Sequence, residues 1–274
     1  MIDINTIVKQ ALQEDMPSGD ITTDSLGFEN KSGKAKLLAK QDLTLSGCTL
    51  FDATFKLLDS KTEIKWHFKD GDRVTRGQNI CELSGKLSVL LKGERTALNF
   101  LGHLSGIATL TSLFVEKTKG TRCKITDTRK TTPGFRNLEK NAVLHGGGSN
   151  HRMNLSDGIL IKENHIRAAG SILECVKLTR SQHPKMPVEV EVTNLDEINE
   201  ALSCNTERIL LDNMNNELTE KAVKLIAGKS IIEASGNMTL DRIESVAKLG
   251  VDFISVGQIT HSAPNADVSL LFER

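Results

Sequence analysis

Between Asp127 and His165 the chain reads DTRKTTPGFRNLEKNAVLHGGGSNHRMNLSDGILIKENH. Arg129, Lys130, Arg136, Lys140, Arg152 and Lys162 fall within under forty residues, beside His145, His151, His165 and the glycines 146–148. Arginine grips a carboxylate or phosphate with two parallel N–H donors, and lysine meets it as a point charge. Yet the whole chain balances 35 Lys+Arg against 35 Asp+Glu. One dense cationic stretch in a neutral protein points to a small anion. A nucleic-acid surface would call for a basic face and a high pI.

Two further groups of residues complement that stretch. Glu191 sits in PVEVEV, within an apolar run, where an unpaired carboxylate costs several kcal/mol. It therefore needs a cation, a hydrogen-bond donor or a metal. Asp212 ends the next apolar run, and two such oxygens suit sugar hydroxyls or a Mg²⁺ that keeps several waters. The glycine turns EASGN (233–237) and SVGQ (255–258) offer backbone N–H groups for a phosphate. An anion pocket, a polyol or metal site and a phosphate cradle together describe an enzyme for a phosphorylated, acidic substrate.

These residues must be positioned by regular elements. Apolar residues at Ile4, Ile7, Val8, Ala11 and Leu12 predict an N-terminal helix. Residues 34–46 and 63–68 read as extended, with a short helix over 47–58 between them. From about Lys86 a long helical pattern runs on, interrupted by Gly93, Gly102 and Gly106, each costing about 1 kcal/mol against alanine. These glycines predict either a close helix approach or a break between two helices.

After Gly120 short β-branched runs (123–126, 159–161, 188–192, 209–211, 231–233, 253–256) alternate with helical stretches (137–144, 172–182, 195–202, 217–226, 240–249). Ser171, Asn194 and Thr239 are N-cap candidates. Such alternation implies parallel strands with right-handed crossovers. Glu191, Asp212, Ser235 and Gly257 follow successive strands at steps of 21, 23 and 22 residues. Functional groups at the carboxyl ends of successive strands are the pattern of an α/β barrel, whereas an open sheet would place a ligand at one switch point.

A chain of 274 residues with 38% apolar and 26% charged residues has room for one large domain or two medium ones. Its five cysteines, at 48, 81, 123, 175 and 204, lack metal-ligand spacing and read as reduced, buried thiols of a cytoplasmic protein. Neither a signal-peptide layout nor a run of 18 apolar residues is seen. Several residues have an ordinary reading. Arg136 and Lys140 are expected to be solvated, and His67 and His103 to be structural. His145 with His151 makes a weak metal motif without an acidic partner at ligand spacing. No GxSxG elbow supports a hydrolase.

The segments ERTALNFLGHLSGIAT, the 127–152 stretch, LIKENH, EVEV, LDNM, EASGN and GVDFISVGQITHSAP resemble those of the quinolinate phosphoribosyltransferases, across nearly the whole chain. The resemblance implies an α/β protein: an N-terminal α/β sandwich domain and an open α/β barrel of the type II phosphoribosyltransferase kind. The expected ranges are 1–108 for the sandwich, with 266–274 returning to it, and 109–265 for the barrel. It implies transfer of phosphoribosyl from phosphoribosyl pyrophosphate to quinolinate with loss of CO₂, Mg²⁺ as cofactor, and a homodimer or higher oligomer.

By motif, Thr128, Arg129, Lys130, His151, Arg152 and Lys162 should bind quinolinate, with Arg95 supplied by the partner subunit. Glu191 and Asp212 should meet the ribose and the metal. Ser235, Gly236, Asn237, Val256, Gly257, Gln258 and His261 should surround the phosphate. Lys130, Lys162, Glu191 and Asp212 are the catalytic candidates. Two alternatives stay open: a paralogue acting on another aromatic acid, and a non-catalytic binding protein on the same fold.

Overall fold

The apolar spacing near the N-terminus forms α1 (Ile4–Asp15), which buries Ile7, Val8 and Leu12. It is followed by α2 (Ile21–Ser25), β1 (Ser32–Ala39), β2 (Leu43–Thr44), α3 (Cys48–Leu58), β3 (Glu63–Trp66), β4 (Arg73–Val74), β5 (Asn79–Lys86) and α4 (Leu87–Glu116). The remainder is β6 (Lys124–Thr126), α5 (Arg136–His145), β7 (Ile159–Ile161), α6 (Glu163–Ala169), α7 (Ile172–Gln182), β8 (Val188–Val192), α8 (Leu195–Ser203), β9 (Arg208–Asp212), α9 (Asn216–Ile226), β10 (Ile231–Ser235), α10 (Leu240–Lys248), β11 (Phe253–Ser255), α11 (Gln258–His261) and β12 (Val268–Phe272). This computed structural model describes residues 3–28 and 30–273. Met1, Ile2, Glu29 and Arg274, which fall inside the expected domain ranges, lie outside the described residues.

The chain packs as two units. The first comprises residues up to Ser112, Thr132–Gly147 and the tail from Ser262; the second comprises Leu113–Thr131 and Gly148–His261. By packing, α4 contributes to both units, and α5 groups with the first. Gly146 is one reason. A Cβ there would meet the Ala108 carbonyl oxygen at 2.5 Å, so glycine lets the end of α5 lie directly on α4.

In the first unit an antiparallel sheet runs in the order β12-β1-β5-β3. β12 pairs with β1 from Ala35–Phe272 to Ala39–Val268, so the tail completes this sheet. Phe51 and Phe55 of α3 meet edge to face at 5.1 Å within an apolar core that includes Leu37, Leu45, Ile80, Leu90 and Leu101. Helix α4 is continuous, so its glycines mark close approaches. A Cβ on Gly106 would lie 2.1 Å from the Pro264 carbonyl oxygen, and one on Gly93 2.7 Å from the Phe55 ring. This helix is long and apolar enough to cross a membrane by composition, but 61% of its apolar window is buried, as in the core helix of a globular unit. Lys140, expected to be solvated, is fully buried in α5. Beside it, buried Glu139 takes His103 Nε2 at 2.9 Å and the Thr132 N–H at 3.1 Å.

In the second unit six parallel strands run in the order β6-β11-β10-β9-β8-β7. From β7 to β11 sequence neighbours are spatial neighbours, and β6, the first in the chain, closes beside β11, the last. That is the order of a rolled sheet. Among the described residues β6 and β7 do not pair with each other, and Thr126 bridges Ser149 instead, so the barrel is open there. Helices α7, α8, α9 and α10 pack successively alongside one another. Ser171 and Asn194 accept the expected N-cap bonds from Glu174 and Glu197, whereas Thr239 makes no side-chain cap bond.

The period-2 alternation of a strand sorts the side chains. Val188, Val190 and Val192 are fully buried on one face of β8, and Glu189 and Glu191 share the other. Arg208, Leu210 and Asp212 on β9, and Glu233 and Ser235 on β10, are spaced alike.

Candidate active site

Two cavities open at the carboxyl ends of the second unit's strands, and they share Thr128, Lys130, Lys162, Glu191, Asp212, Ser235 and Ser255. The smaller, about 330 Å³, is completed by Arg129, His151, Arg152, Leu160, Leu210 and Glu233. The larger, about 640 Å³, is completed on one side by Asn213 and Gly236 to Thr239, and on the other by Val256, Gly257, Gln258 and His261. All the residues expected at the site line one or both cavities, except Arg95. Arg95 belongs to the first unit, exposed on α4.

The smaller cavity depends on how the chain after α5 is tied down. Buried Asp127, directly after β6, accepts the His151 N–H at 2.9 Å, and its own N–H bonds the Ser149 carbonyl at 3.2 Å. Arg152 is fixed twice: its N–H donates to His151 Nδ1 at 2.8 Å, and its Nη1 donates to the Gly158 carbonyl at 2.7 Å. Burial and the adjacent Arg129 guanidinium hold Arg152 below its ordinary pKa. Two guanidiniums forced close together in a partly buried space create a potential that an anion relieves.

Lys162 directly follows β7 and donates to Glu191 at 2.8 Å across the shared wall. That ion pair answers the question raised by a carboxylate set among valines. Nearby, Asp212 Oδ2 accepts from Asn213 Nδ2 at 2.8 Å.

The larger cavity is bounded by tight turns. Asn213 and Asn237 both adopt the left-handed conformation, with φ of 53° and 48°, and Gly236 has φ of 86°. Asn237 Nδ2 donates to Asn213 Oδ1 at 3.2 Å, so the turns after β9 and β10 are tied together. Arg242 of α10 reinforces them by donating to the Met214 and Gly236 carbonyls. A Cβ on Gly236 would lie 2.2 Å from Asn213 Oδ1, so only glycine fits. Opposite, Thr260 Oγ1 donates to the Lys130 carbonyl at 2.8 Å, linking α11 to the stretch after β6.

Asn213 and Arg242 were not singled out from the sequence. Their only signal was position, directly after Asp212 and within the first turn of the helix following EASGN. Two other residues of the cationic stretch pack within the first unit. His145 is one of them. Its Nδ1 bonds Ser46 Oγ at 2.8 Å in the first unit. The other is Gly146, first of the three glycines, which packs closely on α4.

Known proteins carry the same architecture. The N-terminal domain model of quinolinate phosphoribosyl transferase matches residues 20–105, and its C-terminal domain model matches 107–271. The chain is 40% identical over 288 residues to the chloroplastic nicotinate-nucleotide pyrophosphorylase [carboxylating] of Arabidopsis thaliana, spanning 98% of this chain and 82% of that protein. It is 36% identical to the Mycobacterium leprae protein of the same name, spanning 96% and 95%. The structure of the nicotinate-nucleotide pyrophosphorylase from Francisella tularensis superposes with a TM-score of 0.94 at 40% identity, covering 98% of this chain and 96% of that one. With both domain models and full-length relatives matched, this chain belongs to the quinolinate phosphoribosyltransferase family.

Proposed function

We infer that the chain transfers phosphoribosyl from phosphoribosyl pyrophosphate to quinolinate, releasing pyrophosphate and CO₂ and yielding nicotinate mononucleotide for NAD biosynthesis. The relatives are named for this carboxylating pyrophosphorylase chemistry. The observation that carries the reading is the shared wall. A cavity with adjacent Arg129 and Arg152 suits a dicarboxylate, and it adjoins a glycine-turn cavity suited to a sugar phosphate.

Charge placement gives the mechanism. Arg129, Arg152 and Lys130 hold the acid with its ring nitrogen toward the shared wall. That nitrogen forms a bond to C1′ as the bond to pyrophosphate breaks. Positive charge develops on the ribose, where Glu191 and Asp212 stabilise it electrostatically. The alkylated ring is a pyridinium and accepts the electron pair left when the adjacent carboxylate departs as CO₂. Lys130 or Lys162 then supplies the proton to that carbon.

Two carboxylates on the wall of a wide, polar cavity fit Mg²⁺, which favours one or two protein carboxylates together with substrate phosphates. Glu191 and Asp212 would hold it, and the ion would offset charge on the pyrophosphate. Arg95, exposed on its helix, would complete a second copy's acid cavity in a homodimer.

The test is turnover of quinolinate with phosphoribosyl pyrophosphate and Mg²⁺, followed as released CO₂. Turnover of a different aromatic acid alone would assign the paralogous activity. Binding of both substrates without turnover would leave only a binding protein.

A further inference from the structure

Beneath the residues expected to hold the acid, the barrel interior carries a second layer of charge. Glu189 and Glu233 stand two residues before Glu191 and Ser235 on β8 and β10, so they project from the same strand faces one layer deeper. Glu233 is fully buried, and Glu189 is 7% exposed. His151 Nε2 lies 3.1 Å from Glu189 Oε2 and 3.7 Å from Glu233 Oε1. Arg208 Nη1, from β9, lies 3.5 Å from Glu233 Oε2, with its guanidinium 4.1 Å over the Phe253 ring. Ser255 faces Glu233 from β11. Neither Glu233 oxygen has a hydrogen-bond partner within bonding distance, and neither does Glu189 Oε1.

Glu189 also feels the Arg152 guanidinium, but Glu233, fully buried, is set against Arg208 alone, with the Glu189 carboxylate within 4.8 Å of it. An unpaired buried charge is costly enough that such a cluster takes up a proton. Both carboxylates draw a proton toward His151, although burial opposes it. The His151 Nδ1 lone pair, however, accepts the Arg152 N–H at 2.8 Å. A proton on Nδ1 would set N–H against N–H. Nε2 therefore carries the ring's hydrogen and donates it to Glu189, which leaves Glu233 to hold the extra proton. The same constraint excludes a metal on this triad, although its ligand atoms lie within 4.8 Å of one another. Metal on Nε2 would require the hydrogen on Nδ1.

We propose that Glu233 is a carboxylic acid in the resting protein, and that its proton keeps the floor of the acid-binding cavity neutral so that a dianionic acid can bind above it. This rests on the dicarboxylate reading of that cavity. Burial first, then the Glu189 carboxylate, push Glu233 up to about 7, while the Arg208 guanidinium pulls the other way. Ionisation of Glu233 would add an anion to the cavity that Arg129 and Arg152 also line, and so compete with the substrate for its positive charge. Acid affinity is then linked to the Glu233 proton and falls by up to about tenfold per pH unit above its pKa.

The experiment is calorimetric titration of the whole protein with quinolinate alone, at about pH 6 and about pH 8.5, in buffers of differing ionisation heat. Affinity should weaken by up to about 30-fold at the higher pH, with net proton uptake on binding, and Glu233→Gln should bind equally at both. A Glu233→Gln protein that keeps the wild-type pH dependence would overturn the proposal. So would a wild type with neither pH dependence nor proton uptake. Infrared difference spectra provide a readout free of the ligand: a protonated-carboxyl band present at the lower pH and lost at the higher one. If the wild type binds no quinolinate at either pH, the functional reading fails, and absence of that band would then overturn the assignment of the proton. If Glu233→Gln does not fold, proton uptake by the wild type decides.

Discussion

The two cavities share a wall but are built by different means. One recognises its ligand with side-chain charges: Arg129, Arg152 and Lys130 above, Glu233 and Leu210 below. The other relies on backbone, in turns held by Gly236, Asn237 and Asn213 in left-handed conformations and braced by Arg242. Side-chain recognition is local, so losing one group removes one interaction and leaves the frame standing. Backbone recognition is collective, because a single added methyl displaces every N–H in the turn.

The largest effect is therefore expected where chemistry changes least. Gly236→Ala adds one carbon atom, but at φ of 86° and 2.2 Å from Asn213 Oδ1 it forces the turns after β9 and β10 apart. Steady-state kinetics should show kcat/KM for phosphoribosyl pyrophosphate reduced about 100-fold, roughly 2.7 kcal/mol. Quinolinate affinity in the binary complex should stay within about twofold. Equal losses for both ligands would mean that the cavities are one mechanical unit, and the contrast would fail.

Arg129→Ala makes the converse case. Its expected cost is at least about tenfold in quinolinate affinity, roughly 1.4 kcal/mol, with little change in thermal stability or in phosphoribosyl pyrophosphate binding. An unchanged quinolinate KM would remove Arg129 from the acid site.

The sequence disclosed these regions unequally, for physical reasons. Strand periodicity and strand-end polarity are local, and β7 and β8 match their predicted spans, as does α7. Glu191 was legible because a carboxylate among valines needs a partner. Glu189 carries the same signal two residues earlier in PVEVEV, but lacks the strand-end position that marks Glu191. Glu233 was absorbed into the EASGN turn, although period-2 spacing from Ser235 points it into the barrel. Burial of Lys140 and the role of the α4 glycines depend on where distant segments pack. Gly106 is explained only by Pro264, and no local pattern encodes that encounter. Arg242 acts through carbonyl oxygens that every residue possesses, so its sequence context contains no partner to recognise.

Arg95 tests whether the side-chain cavity needs two chains while the backbone cavity needs one. It belongs to the first unit, while both cavities described here are lined by the second. If a second copy supplies it, Arg95→Ala and Arg152→Ala damage the same site from different chains. After subunits mix at random, half of the dimers are hybrids, and each hybrid rebuilds one intact site of its two. Activity should then recover to about a quarter of the wild-type value, starting from two nearly inactive parents. The kinetics of the recovered activity sharpen the comparison further. KM for phosphoribosyl pyrophosphate should equal that of wild type in the hybrid, because neither substitution touches the glycine turns. No recovery after exchange has been confirmed by mass spectrometry would mean that each chain completes its acid cavity alone, and Arg95 would then be a surface arginine of α4.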